Sequence, residues 1–495
     1  MRTHTLALIL ATCVLSLTAA AQPPSAAPPS AAPTTPASDN APETRAGKPV
    51  PQSALPPDTK AGKMLTRVLR LFAGESKAIT EDDLADAFKQ QVPIAKLRAL
   101  AGQIHATEGD LLLAFINEGA SERALVANVT GTKRHTAFKL RLALNDADQI
   151  EGLLIQPGVD ARVPPITSWD DFKTRLSGVS EKTSFALREF VERTASAAPA
   201  EDGQPLVATI VREVEARVSV NADEPLAIGS TFKLWVLGAL ANAINDGDAK
   251  WDEPLKIQDA IKSLPSGVMQ NEKDGTEFTL RQFADKMISI SDNTATDHLI
   301  HRLGRDRCER MMSKCTRGHS DLNQPFLTTR DLFALKLSGS DDLPKRYITA
   351  GTLTRRELVS AGGDVGKATP QLMLAAAWKA PRFIDSLEWF ASASDLSASM
   401  WLLDDLARTP GLEPVREILA INPGVPFDRK IWTYVGYKGG SEPGVLSLTW
   451  LLERKDGRKY ALSMTFNDTK KPIDESLALG LAQRAIEYLG TFDLR

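Results

Sequence analysis

The apolar positions of this chain change period several times, and each change predicts an element or a boundary. Leu6 to Leu17 form an apolar run broken by Thr12, Cys13 and Ser16, with Arg2 before it and Ala19-Ala20-Ala21 after it. That order of charge, short apolar core and small residues is the pattern of a cleaved secretory leader. Residues 1–21 are therefore expected to be a signal peptide, giving a secreted or periplasmic protein that begins at Gln22. Leu10-Ala11-Thr12-Cys13 raises lipid attachment as the alternative, which Thr12 and the apolar residues beyond Cys13 disfavour. No later stretch reaches the roughly 18 uninterrupted apolar residues of a membrane span.

Residues 22–57 have no period and hold eleven prolines among Ala, Ser and Thr. Such a segment buries too little apolar surface to fold and reads as an extended tether. Periodicity returns at Asp58. Met64, Leu65, Val68, Leu69 and Leu71 predict a helix; Thr80 before Asp82 and Asp83 predicts a second, and Pro93 before Ile94, Leu97, Leu100 and Ile104 a third. Four β-type runs follow, over 111–117, 123–130, 137–144 and 149–155, separated by turn residues such as Asn117-Glu118-Gly119 and Asn145-Asp146. Helices on one face of an antiparallel sheet make residues 58–165 a small α+β domain, read as a binding or docking module. Glu108, Asp110 and Asp146 are expected in solvated turns.

Residues 166–495 are expected to form one larger domain. Phe232, Leu234, Trp235, Val236, Leu237 and Leu240 put apolar residues nearly all round a helix ending about Asn245, which predicts a buried helix. Val445–Glu453 and Tyr460–Phe466 form a hairpin around Lys455-Asp456-Gly457-Arg458, and a last helix covers about Ser476–Leu489.

Composition narrows the chemistry. A net charge of −3 gives no field for nucleic acid, and three cysteines with six histidines exclude a multi-cysteine or histidine-rich metal scaffold. No cofactor is implied, and the expected partner is a small-molecule substrate. His298 and His301 are helix neighbours without a completing ligand set. Cys308 and Cys315 lie about 10 Å apart if one helix carries both, so a bridge requires that helix to break; two free buried thiols are the alternative.

Candidate chemistry begins at Ser230-Thr231-Phe232-Lys233, where the buried helix opens. A spacing of three puts both side chains on one face, so a neutral lysine can take the serine proton. The helix start also aims free N–H groups at a developing oxyanion. Ser291-Asp292-Asn293 and then Lys438-Gly439-Gly440-Ser441 follow in order, the second just before the hairpin. Glycines beside that lysine let a substrate lie flat against a strand edge. Glu442 reads as a solvated charge at the strand end.

With these three elements the sequence resembles the penicillin-recognising serine hydrolases, specifically the class A β-lactamase-like group, over roughly residues 205–490. The resemblance implies an antiparallel sheet flanked by helices, an all-helical lobe carrying Ser291 and a cleft between them, so the whole chain is α+β with a small α+β domain in front. It implies Ser230 as the acylated nucleophile, Lys233 as its proton acceptor and Ser291 as the relay to the leaving nitrogen. Asn293 and Gly440 would line the substrate, Lys438 would bias the field near Ser291, and the N–H groups of Ser230 and Ser441 would hold the oxyanion.

Two departures stand out. Gly439 removes the hydroxyl that usually follows the motif lysine. In His319-Ser320-Asp321-Leu322-Asn323, His319 stands where the family carries its deacylating glutamate; Asn323 is a candidate to hold a water and His319 or Asp321 a candidate base. The expected function is an exported hydrolase acylated on Ser230 by β-lactams or a related amide or ester. The alternatives are a non-hydrolytic binding or sensing protein and a cell-wall D,D-peptidase or esterase on the same fold.

Overall fold

The computed structural model describes residues 56–491 except 117–119, 134–135, 158–162, 196–208, 264–265, 317, 339 and 368–377. The leader, all but the end of the tether and the turn at Asn117-Glu118-Gly119 lie outside the described residues.

The helix Lys60–Phe72 starts where the Thr59 side chain accepts from the Gly62 N–H, and it buries Met64, Leu65, Val68, Leu71 and Phe72. Thr80 and Asp83 form a capping box, but it closes only a 3₁₀ turn, Glu81–Asp83, where a helix was expected to start. The chain is then tied to the sheet, with the Ala85 N–H donating to the Ile150 carbonyl at 3.0 Å, and the helix proper is Asp86–Gln91. After the helix Ile94–Glu108, strands Leu111–Ile116, Ala124–Gly131, Ala137–Leu144 and Ile150–Pro157 form an antiparallel sheet in chain order. Leu111, Leu113, Leu125, Val129 and Leu140 pack on Leu65, Val68 and Ile104 in a core of their own. Asp110 and Asp146 are exposed as expected. Glu108 is not solvated: it is 1% exposed, because Gly131 has no side chain and the turn at Lys133 closes over it, donating to its carbonyl at 2.8 Å.

The second sheet is five-stranded and antiparallel, in the order Trp432–Glu442, Val445–Arg454, Lys459–Asn467, Lys182–Ala195, Thr209–Val220. The helix Ala393–Leu406 packs on one face, where the Ser397 and Ser463 hydroxyls lie 3.3 Å apart. The helices Trp169–Leu176 and Glu475–Thr491 share the other core with Trp450, Tyr460, Leu462 and Phe466. Around the buried helix Lys233–Asn245 gather helices Leu280–Ser289, Asn293–Leu303, Arg305–Cys315 and Thr329–Lys336, forming a helical lobe. Each large side chain buried there, such as Trp235 or Phe283, contributes about 1.5–3 kcal/mol. The architecture is therefore α+β, an antiparallel sheet flanked by helices with a helical lobe.

One unbroken helix, Arg305–Cys315, carries both Cys308 and Cys315, and both are free and buried, their thiols pushed up to about 12 by burial. Among the described residues no helix is long and apolar enough to cross a membrane.

Candidate active site

The turn that presents Ser230 is fixed from behind. Asn467, at the end of a central strand, receives the Ala227 N–H at 2.8 Å and donates to the Ala227 carbonyl at 3.0 Å. Gly229 follows with φ of +47°, and a 3₁₀ turn, Gly229–Phe232, runs directly into the helix Lys233–Asn245. Phe232 stacks on Trp389 with centroids 3.8 Å apart, and Thr231 donates to the Ser447 carbonyl at 3.3 Å. The nucleophile candidate thus sits on a turn held by sheet, ring and helix together.

The edge strand closes on this turn at Gly440. A Cβ on Gly440 would meet the Ile228 carbonyl oxygen at 2.3 Å and the Ser230 nitrogen at 2.4 Å, so glycine is required for the approach. The Ser441 nitrogen lies on the same side, 3.3 Å from where a Gly229 Cβ would stand. Gly439 has its own reason: a side chain there would run into Tyr437, whose Oη lies 2.1 Å from the Cβ position. Tyr437 itself tilts against Trp450, centroids 4.9 Å apart.

The two motif lysines converge on one oxygen, that of Ser291. Lys233 Nζ lies 3.0 Å from Ser291 Oγ and Lys438 Nζ 3.1 Å from it. Lys233 also donates to the Ser291 carbonyl and to Asn293 Oδ1, both at 2.7 Å. Lys438 further donates to the Gly439 carbonyl. Ser291 has φ of +58°, a left-handed conformation uncommon for a serine, in the gap between Leu280–Ser289 and Asn293–Leu303. Asp292 supplies the rigidity: fully buried, it caps the second of these helices at Ala295 and accepts from the Val268 and Met269 N–H groups at 2.6 and 2.9 Å.

Electrostatics follow from burial. Loss of water pulls Lys233 down to about 7, against the pull of the Asp292 and Asp297 charges, which favour its protonated form. Lys438 is held well below the usual lysine range, by burial first and by the Lys233 charge second. Two ammonium groups on one serine oxygen disfavour each other, so a proton is readily given up at neutral pH. Asp297, also buried, is raised to about 7 by burial, although it accepts from Thr329 N and Oγ1 at 2.8 Å and Arg330 N at 2.9 Å.

The structure thus brings Ser230, Lys233, Ser291, Asn293, Lys438, Gly440 and Ser441 to one place. His319 and Asn323 make their bonds to other partners. Asn323 exchanges two bonds with the Phe390 backbone, at 2.8 and 2.9 Å, and its amide also reaches the His319 carbonyl. His319 Nδ1 lies 3.0 Å from Asp395, in the first turn of Ala393–Leu406. Phe390–Ala391 runs antiparallel to Leu226–Ala227. Glu442 is likewise not a solvated charge: its side chain is 6% exposed and pairs with Lys336. Asp297, Asn467 and the Lys336 partner of Glu442 are site supports that no local pattern announces, since each acts across a long stretch of chain.

His298 is buried, receiving the Gln258 N–H on Nε2 and bonding the Thr294 carbonyl through Nδ1, so both ring nitrogens serve packing. Among the described residues no group of three or more His, Cys, Asp or Glu is placed to hold a metal ion. Chemically, the arrangement offers a serine on a helix start, a buried lysine able to be neutral and a second serine bonded to two lysines. That is equipment for acyl transfer through a serine ester.

A family model described as the beta-lactamase enzyme family matches residues 187–357. Beta-lactamase 1 of Streptomyces cacaoi is 34% identical over 116 residues, which cover 21% of this chain and 35% of that protein; the chain matches about a third of that relative's length. Among solved structures, the beta-lactamase of Sphaerobacter thermophilus DSM 20745 is 18% identical with a TM-score of 0.41, covering 66% of this chain and 98% of that one. A mutant of PBP-A, solved as an acyl-enzyme complex with penicillin G, is 14% identical with a TM-score of 0.39, covering 67% and 100%.

Proposed function

Because the chain is β-lactamase-like over residues 187–357, we propose that it is an exported serine hydrolase acylated on Ser230 by β-lactams or a related amide or ester. The observation that carries this reading is the convergence of Lys233 and Lys438 on Ser291 Oγ, at 3.0 and 3.1 Å. Neutral Lys233 takes the proton of Ser230 Oγ as that oxygen bonds to the substrate carbonyl carbon. The carbonyl electron pair moves to oxygen, where the N–H groups of Ser230 and Ser441 receive it. As the tetrahedral centre collapses, the C–N or C–O bond to the leaving group breaks, and the proton passes from Lys233 through Ser291 Oγ to the departing atom.

Hydrolysis of the resulting ester needs a water and a base. His319 and Asn323 are both engaged elsewhere, so acylation is expected to outpace deacylation. Residues 58–165 are read as a separate docking module and 166–495 as the hydrolase domain, with export through a leader cleaved after Ala21. A fluorescent penicillin tests the reading: the wild-type protein is expected to be labelled and the Ser230→Ala variant not. Equal labelling of both, or none of either, would overturn it.

A further inference from the structure

The edge strand ends one residue beyond Ser441, and its last side chain is buried in a cluster that the acylation chemistry does not use. Lys336, at the end of Thr329–Lys336, lies 2.6 Å from Glu388 Oε1 and 2.5 Å from Glu442 Oε1. The lysine and Glu388 side chains are 0% exposed and Glu442 is 6% exposed. The indole of Trp378 covers the ammonium at 5.4 Å. On one side the cluster holds the hairpin, since Glu442 pairs in register with Val445. On the other it holds the Ser230 turn, since Glu388 Oε2 accepts from the N–H of Trp389, the residue that stacks on Phe232. It therefore ties together the two walls that meet where Gly440 touches Ser230.

We propose that the Lys336–Glu388–Glu442 cluster is a positioning device for the Gly440–Ser441 edge, and that it holds this edge against Ser230 only while Glu442 carries a proton. Two buried carboxylates on one ammonium leave a net negative charge without solvent, which is strongly disfavoured. One proton makes the cluster neutral and lets one carboxyl donate to the other. Burial first, and the Glu388 charge second, push the Glu442 carboxyl well above the usual range, with Lys336 opposing them. Of the other acids at this end of the sheet, Asp468 accepts from the Lys470 and Lys471 N–H groups at 3.0 and 3.1 Å, and Glu181 accepts from Thr469 Oγ1 at 2.8 Å. Loss of the Glu442 proton restores the uncompensated charge and loosens the strand end that carries the Ser441 N–H.

This inference deepens the acyl-enzyme reading and rests on it for its functional half, so the test has two readouts on the full mature chain. The first is hydrogen exchange of the segment 438–446, corrected for intrinsic rates across pH. In the wild type its protection is expected to fall by about tenfold per pH unit above the titration of Glu442, whereas Glu442→Gln, which cannot ionise, stays flat. The second is the rate of Ser230 labelling by a fluorescent penicillin, whose alkaline limb should move to higher pH in E442Q. Identical exchange profiles in the two proteins overturn the positioning device, as does an alkaline limb that stays in place in E442Q. The predicted exchange difference with no labelling at any pH supports the device and instead refutes the acyl-enzyme reading.

Discussion

Lys233 and Ser291 are joined twice: the lysine Nζ donates to the serine carbonyl at 2.7 Å and lies 3.0 Å from its Oγ. One residue thereby serves as backbone anchor and proton partner for a lysine with no access to water. The carbonyl bond needs the left-handed backbone of Ser291, and Asp292 holds that backbone through three buried N–H contacts.

The first consequence is a pH profile. Acylation requires neutral Lys233, which burial brings to about 7, so the rate should rise with pH through that value before the alkaline limb set by Glu442. The Asp297 charge favours the protonated lysine, so Asp297→Asn should move this limb to lower pH. The same change should destabilise the fold by about 1–3 kcal/mol, because an amide faces N–H donors of Thr329 and Arg330. Labelling rates across pH, with urea unfolding alongside, check both parts; a limb that stays in place in D297N contradicts the assignment.

Gly440→Ala puts a methyl group 2.3 Å from the Ile228 carbonyl oxygen, where backbone must give way. The predicted loss is in acylation rate, about 10²–10³-fold, the scale of a displaced oxyanion donor. Gly439→Ala meets the tip of Tyr437 instead, a ring that a smaller residue can replace. The double variant Gly439→Ala with Tyr437→Leu should therefore label faster than Gly439→Ala alone, and no partner should rescue Gly440→Ala. Stopped-flow labelling of the variants measures this.

His319→Gln should leave the lifetime of the Ser230 adduct within about twofold, since its ring bonds Asp395 rather than the Lys233 network. Its cost belongs to stability, about 1–3 kcal/mol, because Asp395 is 1% exposed and loses a partner. A lifetime lengthened by tenfold or more would return His319 to the reaction.

The candidate site was legible where its residues lie close together in sequence. Ser230 and Lys233 share a helix face, and the glycines of the third motif announce a close backbone approach that Gly440 does make. The hairpin and the small sheet followed from period-2 patterns. The long strands Lys182–Ala195 and Thr209–Val220 carry charges that obscure that pattern, and only the fold shows Glu189 paired with Arg217 and Arg458. Glu108 and Glu442 were misread for one reason: a carboxylate is solvated by default, and what buries each comes from distant chain, Gly131 over one and Lys336 beside the other. His319 occupied the expected place in the sequence, but its loop is turned by Asn323 toward Phe390.

The central claim is that Ser230 forms an ester and that this ester outlasts its formation. Intact-mass spectrometry of the protein mixed with penicillin G, followed over time and mapped to its peptide, tests both at once. The account predicts one added acyl group on the peptide holding Ser230, absent in Ser230→Ala, that accumulates to near one per chain and decays more slowly than it formed. No adduct at any pH between about 6 and 9, a range bracketing the Lys233 titration, or one that persists in Ser230→Ala, would contradict it.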